Sequence, residues 1–242
     1  MSDGTSEIFY SGGYFLIRVN PHEWKELESD LIPDLVFSLS GCLCPKFKVS
    51  WGWKPGNKLL ALKFGIPLTQ LEAFVDWCQT DYMKMMDMWS MFYTPDDARQ
   101  FINRFNVDRE NLYIIGTALP QTIEETEWRE INDEPPYGIE KRIGQHLPIE
   151  AGGELLGYEV VSFEYANYGH SWLCHYLHED VNKIFGIRPN KYGLFANLED
   201  AMTVLKWIQD GGDGGRAHHP PYDVWQLTSY PLEAPNSSPD TP

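Results

Sequence analysis

Basic residues are scarce in this chain of 242 residues: 19 Lys and Arg stand against 35 Asp and Glu, a formal net charge of −16. Gripping nucleic acid needs cations that displace counterions from phosphate, and docking on an anionic membrane leaflet needs them too. The balance argues against both. Long apolar runs are also lacking. The longest, at residues 59–62 (LLAL) and 112–115 (LYII), have strand length and fall far short of the roughly 18 residues of a membrane span. The opening stretch MSDGTSEIFYSGG has no basic region ahead of an apolar one, so no secretory signal is expected. Cys42, Cys44, Cys78 and Cys174 are too few and too scattered for a disulfide framework, and the expectation is a cytoplasmic protein with reduced thiols. Walker A, GxGxxG, GxSxG and HExxH patterns are missing from the sequence. No enzyme chemistry, no catalytic residue and no cofactor follows from motifs of this kind.

What the chain has is aromatic residues, 9 Trp, 13 Tyr and 12 Phe, and clear helix starts. Residues 8–19 read as two short strands about Gly12-Gly13, with further strands at 35–39 and 58–64. Pro67 opens a helical pattern that puts Leu68, Leu71, Phe74, Val75 and Cys78 on one face. The methionines between Met83 and Met91 suit core filling better than a binding surface. Thr94-Pro95-Asp96-Asp97 combines a cap, a proline at the first helical position and two carboxylates at the positive end of the helix dipole. A strand at 111–118 closes this part. The order then recurs: a strand at 154–164, a single helix over 170–185 with Leu173, Leu177, Val181 and Ile184 inward, a helix starting at Asn197, and a strand at 223–230.

The two helix starts align at a constant offset of 103. Thr94 matches Asn197, Asp97 matches Asp200, and Phe101, Ile102 and Phe105 match Val204, Leu205 and Ile208. Two readings stay open: related halves, or two capped amphipathic helices alike only because all such helices are. The predicted fold class is α+β, in the first reading as two similar small α/β halves with mixed sheets flanked by helices. Its parts are an N-terminal half at 1–120, an acidic connection at 121–153, a C-terminal half at 154–232 and a tail at 233–242.

The acidity is concentrated. Residues 121–164 hold eleven acids against Arg129, Lys141 and Arg142, half of the whole excess. Within that stretch Glu124, Glu125, Glu127, Glu130, Asp133 and Glu134 surround Trp128 and precede Tyr137. Aromatic anchors inside a ring of charge are what a protein interface uses, so these eight residues are the candidate partner-binding set. A metal would find its best ligands on the predicted helix at 170–185, where His170, Cys174 and His178 fall four residues apart, with His218 or His219 as a fourth. No known zinc spacing is matched, the face next to them is core, and no metal ligand is assigned. Cys42-Leu43-Cys44 is not a CxxC motif, and its two thiols are not expected to pair. DGGDGG at 210–215 lacks the ligand alternation of a calcium loop.

At GHSWLCHYL (169–177), the NLEDA helix start (197–201) and the closing VWQLTSYPL (224–232), the chain resembles bacterial polymorphic-toxin immunity proteins, over about residues 155–232. The resemblance implies a protein that binds and neutralises a cognate toxin, with no catalytic residues to carry over. Many such proteins are acidic because many toxins are basic nucleases. The expected function is therefore inhibition of a basic toxin domain, a nuclease, by protein–protein contact. The alternatives are a DNA mimic whose carboxylates imitate phosphates, or a metal-dependent enzyme built on the His170–His178 helix. The expected partner is a protein, not nucleic acid and not a membrane.

Overall fold

A computed structural model describes residues 9–21, 29–50, 53–86, 90–120, 138–164, 167–217 and 221–234. Its elements are β1 (Phe9–Arg18), α1 (Lys54–Lys63), α2 (Leu71–Thr80), α3 (Pro95–Arg104), β2 (Leu112–Pro120), α4 (Gly138–Gly144), β3 (Glu154–Glu164), β4 (Asn167–Ser171), α5 (His178–Phe185), α6 (Leu198–Gln209) and β5 (Tyr222–Tyr230). The five strands form one sheet in the order β1-β2-β5-β3-β4. Every pairing is antiparallel, so the protein is α+β and the expected mixed sheets give way to a single antiparallel one. Strand β5, from the end of the chain, pairs with both β2 and β3 and joins the two halves in one sheet.

Several backbone features recur in the two parts that the offset of 103 aligns. In the first half β1 and β2 pair, with a register shift just before Gly13, which faces Thr117. In the second half β3 and β5 pair, with a shift just before Gly157, which faces Leu227. Thr117 and Leu227 are themselves directly opposed where β2 meets β5, as a two-fold axis between those strands requires. One residue past each bulge, Tyr14 exchanges backbone hydrogen bonds with Phe92 and Tyr158 does so with Phe195. Phe92 and Phe195 are 103 residues apart. Each leads into a cap of the same geometry: Thr94 has φ −139°, ψ 162°, and Asn197 has φ −138°, ψ 160°.

Helices follow from the capping and burial patterns. Thr94 Oγ1 accepts from the Asp97 N–H at 3.1 Å while the Asp97 carboxylate accepts from the Thr94 N–H at 3.0 Å, a closed capping box. Phe101 and Ile102 of α3, like Val204 and Leu205 of α6, are buried on the sheet. On that face lie two core clusters side by side. One is aromatic, with Phe47, Phe64, Phe74, Trp77, Phe92, Phe101 and Phe105 under α1, α2 and α3. The other, under α5 and α6, is largely aliphatic, around a stacked pair formed by Trp172 and Phe195. The opposite face buries Phe15, Ile17, Ile115, Trp225 and Leu227 beneath the 37–44 segment, α4 and Tyr168.

Four local expectations are corrected. Where two strands about a turn are expected over 8–19, Phe9–Arg18 form one strand that carries a bulge at the glycine pair. Residues 58–63 belong to helix α1, with Phe64 as its C-cap; the helix has Pro55 in its first turn and buries Ala61 while leaving Leu59 and Leu62 exposed. Residues 35–39 are not a strand; they are an irregular buried segment in which Phe37 stacks edge-on against Tyr113 and Tyr192. The helix expected over 170–185 is broken into the end of β4, a 3-10 turn at Trp172–His175, a left-handed Tyr176 (φ 55°) and α5.

Candidate functional site

The break in that helix decides where its polar side chains go. His170 lies on edge strand β4, where its N–H donates to Ser162 Oγ at 2.7 Å. Ser171 Oγ accepts from the Leu173 N–H and starts the 3-10 turn, which carries Cys174 back over the strand end. His178 begins the next helix, buried, with Nδ1 lacking a hydrogen-bond partner among the described residues. Burial pushes its imidazole below the ordinary value, against Glu179 and Asp180. The structure therefore separates His178 from the other two.

A residue 128 positions away takes its place. Cys42 Sγ is 3.6 Å from His170 Nδ1. The donor atoms of Cys42, His170 and Cys174 all lie within 4.8 Å of one another. Cys42 is exposed, while His170 and Cys174 are half-buried. Cys44, next but one, is buried, its thiol donates to the Val36 carbonyl at 3.0 Å, and it forms no disulfide with exposed Cys42.

That turn is fixed by a buried carboxylate. Glu159 on β3 accepts from Ser38 Oγ and, at 2.6 Å, from the Leu39 N–H. Ser40 then accepts from the N–H groups of Leu43 and Cys44 through its carbonyl, and from that of Cys42 through Oγ at 3.3 Å. Ser40 Oγ is also 3.4 Å from Cys174 Sγ. Glu159 thus holds the segment that carries Cys42, and Ser40 ties the segment to Cys174. Burial raises the Glu159 carboxyl despite these hydrogen bonds and the nearby Lys46. Burial likewise lowers Lys46 to about 8, and its Nζ sits over the rings of Phe15 and Tyr168 at 5.4 and 4.9 Å.

Around the thiols, burial pushes Cys174 up to about 11. His175 Nε2 is 2.8 Å from the Tyr222 hydroxyl, whose own ionisation burial suppresses. A depression lined by Ser29, Asp30, Leu31, Glu179 and Asn182 brings two carboxylates beside a hydroxyl and an amide.

The acidic partner-binding set, Glu124, Glu125, Glu127, Trp128, Glu130, Asp133, Glu134 and Tyr137, lies outside the described residues, as do His218 and His219. The flanks of that stretch are described and sit together. Pro120 pairs with Phe9 at the start of β1, while α4 packs on β1 through Ile139 and Ile143. Beyond α4, the Ser11 N–H donates to the Leu147 carbonyl at 2.7 Å, and Tyr10 stacks on His146 with ring centroids 4.4 Å apart. Of the eleven acids counted between 121 and 164, Glu159 faces the interior. Among the described residues no helix is long and apolar enough to cross a membrane.

Comparison with known proteins gives no matching family model, no matching curated protein and no matching solved structure.

Proposed function

We propose that this chain is an immunity-type inhibitor that binds and neutralises a cognate basic toxin domain, a nuclease. The observation that carries the reading is the concentration of charge: eleven acids and three bases between residues 121 and 164, in a chain of net charge −16. Support comes from the anchoring of its flanks, since both ends of the 121–137 stretch are held at the start of β1. A concentration of carboxylates steers a cationic partner and raises its association rate. The acids at 124–134 pair with the Lys and Arg that otherwise hold nucleic acid, and Trp128 and Tyr137 supply the apolar anchors.

The test begins with capture of the partner from the native host and continues with kinetics on the purified pair. Replacing Glu124, Glu125, Glu127, Glu130 and Glu134 by Gln and Asp133 by Asn lowers the association rate roughly ten-fold or more, and raising salt does the same to the parent protein. Trp128→Ala acts on dissociation instead, by about 30-fold if it removes about 2 kcal/mol. Rates indifferent to both salt and neutralisation would sink the reading. A DNA mimic differs in selectivity: it would inhibit several unrelated nucleic-acid-binding proteins, where an immunity-type inhibitor acts on one.

A further inference from the structure

We infer that Cys42, His170 and Cys174 form a binding site for one zinc ion, with two thiolates and one imidazole as ligands and a fourth position open to solvent. The geometry is the first argument. Zinc bonds of about 2.3 Å to sulfur and about 2.0–2.1 Å to nitrogen, set at tetrahedral angles, place a sulfur and a nitrogen ligand about 3.6 Å apart. The Cys42 Sγ to His170 Nδ1 separation is 3.6 Å. All three donor atoms fall within 4.8 Å, so closing on an ion needs side-chain adjustments of an ångström or less.

The donor set is the second argument. Two sulfurs and an imidazole suit zinc, whereas hard cations such as calcium and magnesium take oxygen. Support around the ligands is the third. Ser40 Oγ contacts Cys174 Sγ and accepts from the Cys42 N–H, Ser162 Oγ holds the His170 backbone, and Glu159 fastens the 38–40 segment. Such an outer layer fixes ligands before an ion arrives. On binding, both thiols release their protons to solvent and the ion takes the two sulfur lone pairs and that of Nδ1. Three protein ligands leave one tetrahedral position, and exposed Cys42 places it at the surface.

The ligands also come from both halves of the chain, 128 residues apart between Cys42 and His170, so a bound ion ties the 38–44 turn to β4. Zinc therefore raises the unfolding midpoint, by mass action on the folded state alone.

The experiment uses the full chain, reduced and stripped with chelator, then titrated with Zn2+ or Co2+. Expected are one equivalent per chain, a rise in thermal midpoint, and with Co2+ the thiolate charge-transfer absorption and intense visible bands of tetrahedral coordination. Added azide shifts those bands by entering the open position. Cys42→Ser, at an exposed site that the fold does not need, abolishes the charge-transfer intensity or weakens binding at least 100-fold; His170→Gln does likewise. Ser40→Ala weakens it roughly ten-fold or more. His178→Gln leaves affinity unchanged. The site is overturned if the reduced protein takes up no Zn2+, if uptake survives both Cys42→Ser and His170→Gln, or if the Co2+ spectrum shows no thiolate ligation. Because the readout is metal uptake, it stands or falls apart from any toxin partner.

Discussion

The two halves of the sheet share a scaffold and differ in what they hang on it. Each has a strand with a glycine bulge, a capped helix introduced by a backbone-paired phenylalanine, and a closing strand that meets its counterpart across Thr117 and Leu227. Between bulged strand and capped helix, the first half inserts the 29–50 segment, α1 and α2; the second inserts β4, a 3-10 turn and α5. Cys42 belongs to the first insertion, His170 and Cys174 to the second. The repeated parts form the sheet and its capped helices, both insertions add side chains to the core, and the candidate chemistry sits where the two unrepeated parts meet. Scaffold and site can therefore be perturbed separately, and the equivalent positions give matched pairs of substitutions.

The largest effect is expected at the pair Phe101 and Val204, which occupy the same place on α3 and α6. Phe101 packs on Phe47, Phe74, Trp77, Phe92 and Phe105, with ring centroids between 4.7 and 6.2 Å. Phe101→Ala leaves a cavity in the middle of that aromatic cluster and costs about 3–5 kcal/mol, read from the urea midpoint. Val204→Ala removes two methyl groups from the aliphatic cluster and costs about 2 kcal/mol. Equal costs at the two sites would break the contrast between an aromatic and an aliphatic half.

Next come the bulge glycines, whose φ angles of 107° at Gly13 and 144° at Gly157 are strained for any L side chain. The obstacles differ. A Cβ at Gly13 would strike the Met91 side chain, which can swing away, whereas one at Gly157 would lie 2.5 Å from the Phe195 carbonyl oxygen. Gly157→Ala is expected to cost about 3 kcal/mol and Gly13→Ala about 1–2 kcal/mol by the same measurement. The reverse order would show that Met91 is the more rigid neighbour.

Sequence reading reached the repeated scaffold because its signals are local. The Thr94 and Asn197 caps, the apolar stripes behind them and the strands at β2, β3 and β5 each lie within about ten residues. It failed where tertiary contacts overrule a short pattern. The KLLALKF run at 58–64 is as apolar as a strand, but Pro55 and the burial of Ala61 and Phe64 make it helical. Residues 170–185 carry a helical stripe, yet β3 captures Asn167–Ser171 as an edge strand and Tyr176 turns left-handed before α5 can start. The same local reading explains the partial view of the site. His170 and Cys174 stand four residues apart in one segment and are visible in the sequence; Cys42 is brought to them by long-range bonds, among them those of Ser38 and Leu39 to Glu159. His178 fitted the spacing of a helix that the fold does not form.

The smallest effects separate the two caps. At Thr94 the reciprocal box is closed, with Asp97 accepting from the Thr94 backbone N–H. At Asn197 the side chain accepts from the Asp200 N–H at 2.9 Å, and Asp200 accepts from the Asn197 side-chain amide at 2.8 Å. Thr94→Ala and Asn197→Ala each remove the cap acceptor and cost about 1 kcal/mol. Removing the third-position acid distinguishes them. Asp97→Ala strands a backbone donor on a half-buried residue and costs about 1 kcal/mol, while Asp200→Ala frees only an exposed amide and costs a few tenths of a kcal/mol. Thermal midpoints of the four variants, compared pairwise at one pH, resolve this difference. If Asp97→Ala proved no worse than Asp200→Ala, the closed box would add nothing to α3, and the two capped helices would be energetically as well as geometrically alike.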